Sequence, residues 1–156
     1  MAWAFMPTKH EPSLRARALR LLARREHTRE ELRRKLSEHA REGEDVTVLL
    51  DDFTARGWLS DARYAELAAR AKARRYGPLK LAHYLRGRGL ADEIIAAGIK
   101  AAGVDGVSSL EAIWRRRFRE LPRDEQEKAK QVRFLQGRGF PLDEIFRFLK
   151  QMETFP

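Results

Sequence analysis

The 156-residue sequence contains no cysteine. That absence excludes disulfide frameworks, thiolate metal sites and cysteine nucleophiles. No apolar run approaches the roughly 18 residues that a membrane-spanning helix requires. The first residues, Met1–Pro12, lack the basic start, the apolar stretch and the small-residue cleavage site of a secretory signal. We therefore expect a soluble, cytoplasmic protein.

The sequence also lacks a catalytic motif. Gly87–Gly89 follows a predicted helix, whereas a phosphate-binding glycine loop must precede one. The four histidines are scattered and have no partner at metal-ligand spacing. Acidic pairs such as Asp92-Glu93 and Asp143-Glu144 open predicted helices, where their charge favours the helix dipole. We therefore expect no enzymatic activity, no metal and no cofactor.

Positive charge is in excess. Lys and Arg number 32 and Asp and Glu 23, for a formal net charge of +9 and an isoelectric point near 10.3. Such a balance favours an acidic partner, either nucleic acid or an acidic groove on a protein. Charges of alternating sign along helices are equally typical of a solvated face, so charge alone does not select the partner.

The chain is predicted to be all-α. Ala, Leu, Arg and Glu are abundant, and no segment alternates apolar and polar residues as a strand does. Thr28, with Glu31 three residues later, has the pattern of a capping box, and Gly77-Pro78 is typical of a helix start. The apolar spacing predicts nine short helices in three groups, with Ala71 and Ala129 among the inward-facing positions.

Two helix junctions share one pattern. Leu85–Leu90 and Leu135–Phe140 each contain a helix end, a glycine turn and an apolar anchor, and an acidic helix start follows. The corresponding junction of the first group, residues 39–45, lacks the anchor. The repeat predicts three tandem three-helix repeat units in an elongated, curved arrangement. The predicted boundaries are a leader at 1–12, units at 13–58, 59–103 and 110–156, and a linker at 104–109.

Four segments have the pattern of a known family: Glu30–Leu36 after its Thr cap, Gly57–Ala65, Tyr76–Leu85 and Lys130–Phe140. In this order they resemble the RecX family of recombination regulators. The resemblance runs from Ser13 to Gln151. It implies a curved body of three-helix repeats that binds the RecA filament on single-stranded DNA and lies in the filament's helical groove.

This resemblance implies a negative regulator of the RecA recombinase. Such a protein blocks filament extension and inhibits ATPase, strand exchange and coprotease activity. The implied partners are the RecA filament and, weakly, single- and double-stranded DNA, with no membrane, and we expect a monomer. The family supplies no sharply defined site, so contacts are predicted from charge and position. They are Arg33, Arg34, Arg74, Arg75, Lys80, Arg86, Arg88, Arg116, Lys130 and Arg138.

Two alternatives stay open at this point. A basic helical protein could bind duplex DNA without a recombinase, although no helix offers a pattern for reading bases. A helical scaffold for another protein's peptide explains the fold but makes no use of the charge. Binding to naked DNA, compared with binding to a recombinase filament, separates the three.

Overall fold

The computed structural model describes residues 10–104 and 106–155. These residues form nine α-helices and no β-strand, which confirms the all-α prediction. The helices are α1 Leu14–Arg24, α2 Arg29–Ser37, α3 Val46–Ala55, α4 Asp61–Lys72, α5 Pro78–Gly87, α6 Asp92–Ala101, α7 Val107–Arg117, α8 Glu125–Gly137 and α9 Leu142–Thr154.

The chain divides into two compact units, residues 1–59 and 60–156. The first unit contains α1 to α3, and the second contains α4 to α9. Most of the predicted leader falls on residues 1–9, outside the described residues. Within the predicted linker at 104–109, α7 already begins at Val107.

The core of the first unit is built from the apolar stripes of α1, α2 and α3. Thr28 caps α2 as predicted, because its hydroxyl accepts a hydrogen bond from the Glu31 amide at 3.0 Å. Residues 37–45 between α2 and α3 are all exposed, so this junction has no apolar anchor, as its sequence predicts. The buried apolar residues are Leu14, Ala18, Leu32, Leu36, Leu50, Phe53 and Leu59.

A polar network joins the end of α1 to α2. Two guanidinium nitrogens of Arg25 donate to the Glu31 carboxylate at 2.5 and 3.1 Å. Nδ1 of the buried His27 donates to the Arg25 carbonyl at 3.0 Å, and Nε2 accepts from the Lys35 ammonium at 3.3 Å. This network satisfies polar groups that burial would otherwise leave without partners.

The second unit contains two apolar clusters, one on α4 to α6 and one on α7 to α9. α4 and α6 approach closely at Gly98, where a Cβ would lie 2.7 Å from the Cβ of Ala65. Two predicted core positions are wrong: Ala71 and Ala129 are exposed. Ala69 is buried on α4 instead, one helical turn after the buried Ala65 and on the same face.

On α8 the first buried position is polar. Gln131 is 5% exposed, and its side-chain oxygen accepts from the Trp114 indole nitrogen at 2.8 Å. Its amide nitrogen donates to the Glu120 carbonyl at 3.0 Å. Gln131 therefore joins α7, α8 and the loop between them through two hydrogen bonds that an apolar residue could not make.

The turn before α5 crosses the turn after α8 at backbone distance. The Gly77 amide donates to the Arg138 carbonyl at 2.7 Å, and the Leu79 amide donates to the Gly139 carbonyl at 2.9 Å. A Cβ on Gly139 would lie 2.6 Å from the Lys80 amide nitrogen. Only glycine permits this approach, and the crossing brings two basic turns together.

Candidate partner-binding cleft

The first wall of the cleft is the turn between α4 and α5. α4 ends at Lys72, and the amides of Arg75 and Tyr76 both donate to the Lys72 carbonyl, at 3.0 and 3.1 Å. The buried Gly77 then precedes Pro78, the first residue of α5. Because the Lys72 carbonyl holds one end of this turn and the Gly77 crossing and Pro78 restrict the other, the backbone that carries Arg74 and Arg75 has a fixed position.

The last turn of α7 forms the second wall, and its three consecutive arginines have different environments. Arg115 pairs with Glu111 at 2.7 Å on the same helix. The Arg116 guanidinium donates to the backbone carbonyl of Arg74. Arg117 stacks on aromatic rings. Three successive helical residues point in directions about 100° apart, so each has its own neighbours, although Arg116 and Arg117 both reach the same cleft.

An aromatic shelf supports two of the guanidinium groups. The Phe118 and Phe134 rings meet edge to face with centroids 5.2 Å apart. The Arg117 guanidinium lies 5.8 Å from the Phe134 centroid, and the Arg138 guanidinium lies 5.0 Å from it. Arg138 also donates to the Arg75 carbonyl at 3.5 Å. Stacking positions both forks, and Arg138 has one backbone contact as well, which leaves most of their N–H donors for a ligand.

These residues enclose a cleft of about 430 Å³. Five guanidinium groups line it, and no carboxylate occurs among the described lining residues. A fixed cluster of like charge on a partly apolar surface is suited to bind an anion, because planar guanidinium forks match carboxylate and phosphate groups. The lining residues are Arg74, Arg75, Tyr76, Ile113, Arg116, Arg117, Phe134 and Arg138.

Lys80 lies next to this cleft. Its ammonium lies 4.7 Å from the centroid of the Tyr76 ring and donates to the Gly137 carbonyl at 3.4 Å. The structure therefore brings together four of the predicted contact residues, Arg74, Arg75, Arg116 and Arg138, and places Lys80 next to them.

The other predicted contacts of the second unit lie elsewhere. Arg86 pairs with Asp92 at 3.2 Å, and the Arg88 guanidinium lies 5.1 Å from the Tyr84 centroid at the far end of α5. Lys130 lines a separate cleft of about 250 Å³. None of these three residues lines the five-arginine cleft.

The two predicted contacts of the first unit are on α2. Arg33 pairs with Glu30 at 2.6 Å, and this exposed contact lowers the pKa of Glu30 and raises the pKa of Arg33. Arg34 is exposed and makes no ion pair with the described residues.

Sequence reasoning missed Arg117 and the apolar part of the cleft. Tyr76, Ile113 and Phe134 line it, and residues so far apart in the chain give no local sign that they share a surface. One signal was available for Arg117, because it belongs to a run of three consecutive arginines with the predicted contact Arg116.

The described residues contain neither a metal-ligand cluster nor a membrane-spanning helix. These residues hold no group of three or more His, Asp or Glu side chains that could bind a metal ion. In the same part of the chain, no helix is both long and apolar enough to span a membrane.

Models of three successive RecX domains match the chain. The first three-helix domain of RecX matches residues 15–51, the second matches 60–99 and the third matches 105–149. The chain belongs to the RecX family. This confirms the resemblance, and each matched range overlaps three of the helices.

Individual RecX proteins are similar over most of their length. Regulatory protein RecX of Chromobacterium violaceum is 42% identical over 137 residues, which cover 88% of this chain and 89% of the relative. Regulatory protein RecX of Pseudomonas fluorescens is 45% identical over 139 residues, with 88% and 90% covered. A crystal structure of RecX from Lactobacillus salivarius has the same fold, with a TM-score of 0.72 at 21% identity and coverage of 91% and 96%.

Proposed function

We propose that this RecX-family protein is a negative regulator of the RecA recombinase. It binds in the groove of RecA filaments on single-stranded DNA and blocks their extension. ATP hydrolysis, strand exchange and coprotease activity of the recombinase fall as a consequence. The protein acts in the cytoplasm as a monomer and by binding alone, without catalysis or a cofactor, and its own affinity for DNA is weak.

The observation that supports this proposal most directly is the five-arginine cleft in a chain of the RecX family. A recombinase filament presents both carboxylates and DNA phosphates, and the cleft suits either anion. The cleft holds guanidinium groups by stacking and backbone contacts, so little side-chain entropy is lost when a partner binds. Arg74, Arg75, Arg116 and Arg138 are therefore the first contacts to test, followed by the remaining predicted basic residues.

The alternative of a DNA-binding protein that needs no recombinase is less well supported. The cleft offers a compact cluster of cations in place of a long phosphate-tracking strip or a helix with base-reading side chains. Family membership also favours a regulatory protein. Affinity for naked DNA measured beside affinity for the filament separates the two functions.

The test is the single-stranded-DNA-dependent ATP hydrolysis of RecA, titrated with this protein well below the recombinase concentration. We expect strong inhibition, because a bound regulator that blocks extension affects more recombinase than it contacts. The variant Arg74→Glu/Arg75→Glu should require about tenfold more protein for the same inhibition, as expected for two lost charge-assisted contacts.

The matched control is Arg147→Glu/Lys150→Glu, which makes the same charge change at exposed residues of α9 outside the cleft. We expect this control to inhibit as the parent protein does, and circular dichroism should show that both variants keep their helices. Full inhibition by the folded Arg74→Glu/Arg75→Glu variant would contradict the role of the cleft. No inhibition by the parent protein at equimolar amounts would contradict the proposed regulation.

A further inference from the structure

The first unit has a second cationic surface, which sequence reasoning did not assign. We define the α1–α2 groove as the groove of about 320 Å³ on this unit. The lining residues are Arg17, Arg20, Leu21, Arg24, Lys35, Leu36, Glu38 and His39. Three arginines of α1 and one lysine of α2 face a single acidic residue, Glu38, among the described lining residues.

Three of the four arginines on α1 differ from most arginines of this unit because they form no ion pair with the described residues. They are Arg17, Arg20 and Arg24. Most other arginines of the first unit do make one. The pairs are Arg15 with Asp52, Arg25 with Glu31, Arg29 with Asp51, Arg33 with Glu30, Arg41 with Glu11 and Arg56 with Asp52. Unpaired positive charge is therefore concentrated along one groove.

The fourth cation of the groove, Lys35 on α2, is held in place by two partly or fully buried groups. Lys35 lies 3.7 Å from the Glu31 carboxylate and donates to Nε2 of His27 at 3.3 Å. Its side chain is still 42% exposed, so part of its ammonium remains accessible to a ligand. Leu21 is half-buried between these cations, and Leu36 is buried beneath them. The groove thus combines cationic edges with an apolar floor.

The spacing of the arginines identifies the ligand. Positions i, i+3 and i+7 of a helix follow each other at rises of about 4.5 and 6 Å along its axis. A second helix with carboxylates at the same spacing can match these charges one by one, whereas a duplex strand carries a phosphate about every 3.4 Å. A groove between two helices with an apolar floor is also the surface into which amphipathic helices dock.

From this charge pattern, spacing and shape, we propose that the α1–α2 groove binds an acidic amphipathic helix of a partner protein. Its carboxylates contact Arg17, Arg20, Arg24 and Lys35, and an apolar side chain packs on Leu21. Glu38, the C-cap residue of α2, also lines the groove and repels carboxylates near it, which favours one direction of the bound helix. This interaction is separate from the five-arginine cleft, and its test requires no recombinase.

The test uses a fluorescein-labelled designed peptide of about 18 residues, long enough to form a helix in isolation. Glutamates at i, i+3 and i+7 and a leucine occupy one face, and an isomer of the same composition scatters these residues over all faces. Fluorescence anisotropy with the full chain measures both affinities. We expect the one-faced peptide to bind more tightly, with affinity that falls as salt is raised.

The variant Arg20→Ala/Arg24→Ala should weaken binding of the one-faced peptide about tenfold, as expected for two lost ion pairs. Alanine is the best helix former, so these exposed substitutions keep α1, and circular dichroism checks this. The matched control Arg41→Ala/Arg56→Ala removes the same charge from exposed positions outside the groove and should bind as the parent does.

Three results would overturn the proposal. The first is equal affinity for the two peptides, and the second is equal loss of binding in the variant and its control. The third concerns a labelled single-stranded oligonucleotide. If Arg20→Ala/Arg24→Ala binds this oligonucleotide more weakly than the parent does but binds the peptide equally well, the groove is a site for nucleic acid. A failure here leaves the ATP hydrolysis test unaffected.

Discussion

At the scale of single residues, Glu31 shows how one side chain has a local and a tertiary role. Its amide completes the predicted Thr28 cap of α2. Its carboxylate is largely buried and accepts two hydrogen bonds from Arg25. The Arg25 hydrogen bonds lower the pKa of Glu31 from 4.5 to about 2, against the opposite effect of burial. The capping pattern predicted the first role, but not this ion pair.

We expect Glu31→Gln to lose about 2 kcal/mol of unfolding free energy at pH 7, after allowance for the exposure of Arg25. The folded pKa lies below the unfolded one, so this contribution is complete above pH 4.5 and is lost as pH falls toward 2. Urea unfolding at pH 7 and pH 3.5 measures the difference between parent and variant, which should shrink at the lower pH.

The matched control is Glu30→Gln, which removes the same charge from the same helical turn at an exposed ion pair. We expect it to cost less than Glu31→Gln. An equal cost for both variants would show that the helix dipole, and not the contact with Arg25, accounts for the effect.

The neighbouring His27 acts in a higher range of pH. Burial lowers its pKa below the ordinary value of 6.5, so the folded state favours the neutral imidazole. The stability that it contributes is therefore lost as pH falls below 6.5. As pH falls, the polar network that joins α1 to α2 is therefore weakened first at His27 and then, at lower pH, at Glu31.

At the scale of elements, glycine ends helices and also permits a crossing between them. Gly89 and Gly139 have positive φ angles of 80° and 100°, as the repeated junction pattern predicts for helix ends. The anchors that follow, Leu90 and Phe140, are buried. Gly139 has a second role, since its backbone contacts Lys80 and Leu79 on α5.

We expect Gly139→Ala to destabilise the protein by at least about 2 kcal/mol more than Gly103→Ala. Both glycines have positive φ, but a Cβ on Gly103 meets nothing within 4 Å, whereas one on Gly139 meets the Lys80 backbone. Gly103→Ala therefore measures backbone strain alone. Urea unfolding of the two variants gives the difference, and equal losses would contradict a structural role for the crossing.

At the scale of the molecule, residues 60–156 form the larger of the two compact units. Two apolar clusters lie within this range, and the Gly77–Arg138 and Leu79–Gly139 hydrogen bonds join them. The described residues of the first unit form one cluster of seven buried apolar residues, Leu14, Ala18, Leu32, Leu36, Leu50, Phe53 and Leu59. Domains of about 60 residues bury a smaller fraction of their surface and are less stable.

We expect the fragment 60–156 to fold alone, with helical circular dichroism and one cooperative thermal transition. The fragment 1–59 should melt at a lower temperature, because its core is smaller. Loss of helical structure in 60–156 would contradict its independence. Introducing Gly139→Ala into 60–156 should broaden the transition or divide it into two, since the crossing joins its two clusters.

The amino-acid sequence by itself determined the nine helices, their caps and ends, most of the core and the family. These features depend on residues within one or two helical turns, such as Thr28 with Glu31, and on motifs that are contiguous in the chain. Ala71 and Ala129 were misplaced because an alanine fits either face of a helix.

The tertiary structure alone decided which charges act together. Ten basic residues were predicted as contacts, but the cleft gathers Arg74 and Arg75 with Arg116 and Arg138, which are far apart in the chain. Packing between helices from different repeats creates that proximity, and the Gly77–Gly139 crossing permits it. The positive charge of the α1–α2 groove likewise depends on which arginines form ion pairs with carboxylates elsewhere and which do not. Both surfaces follow from distances between elements, which no local pattern of residues specifies.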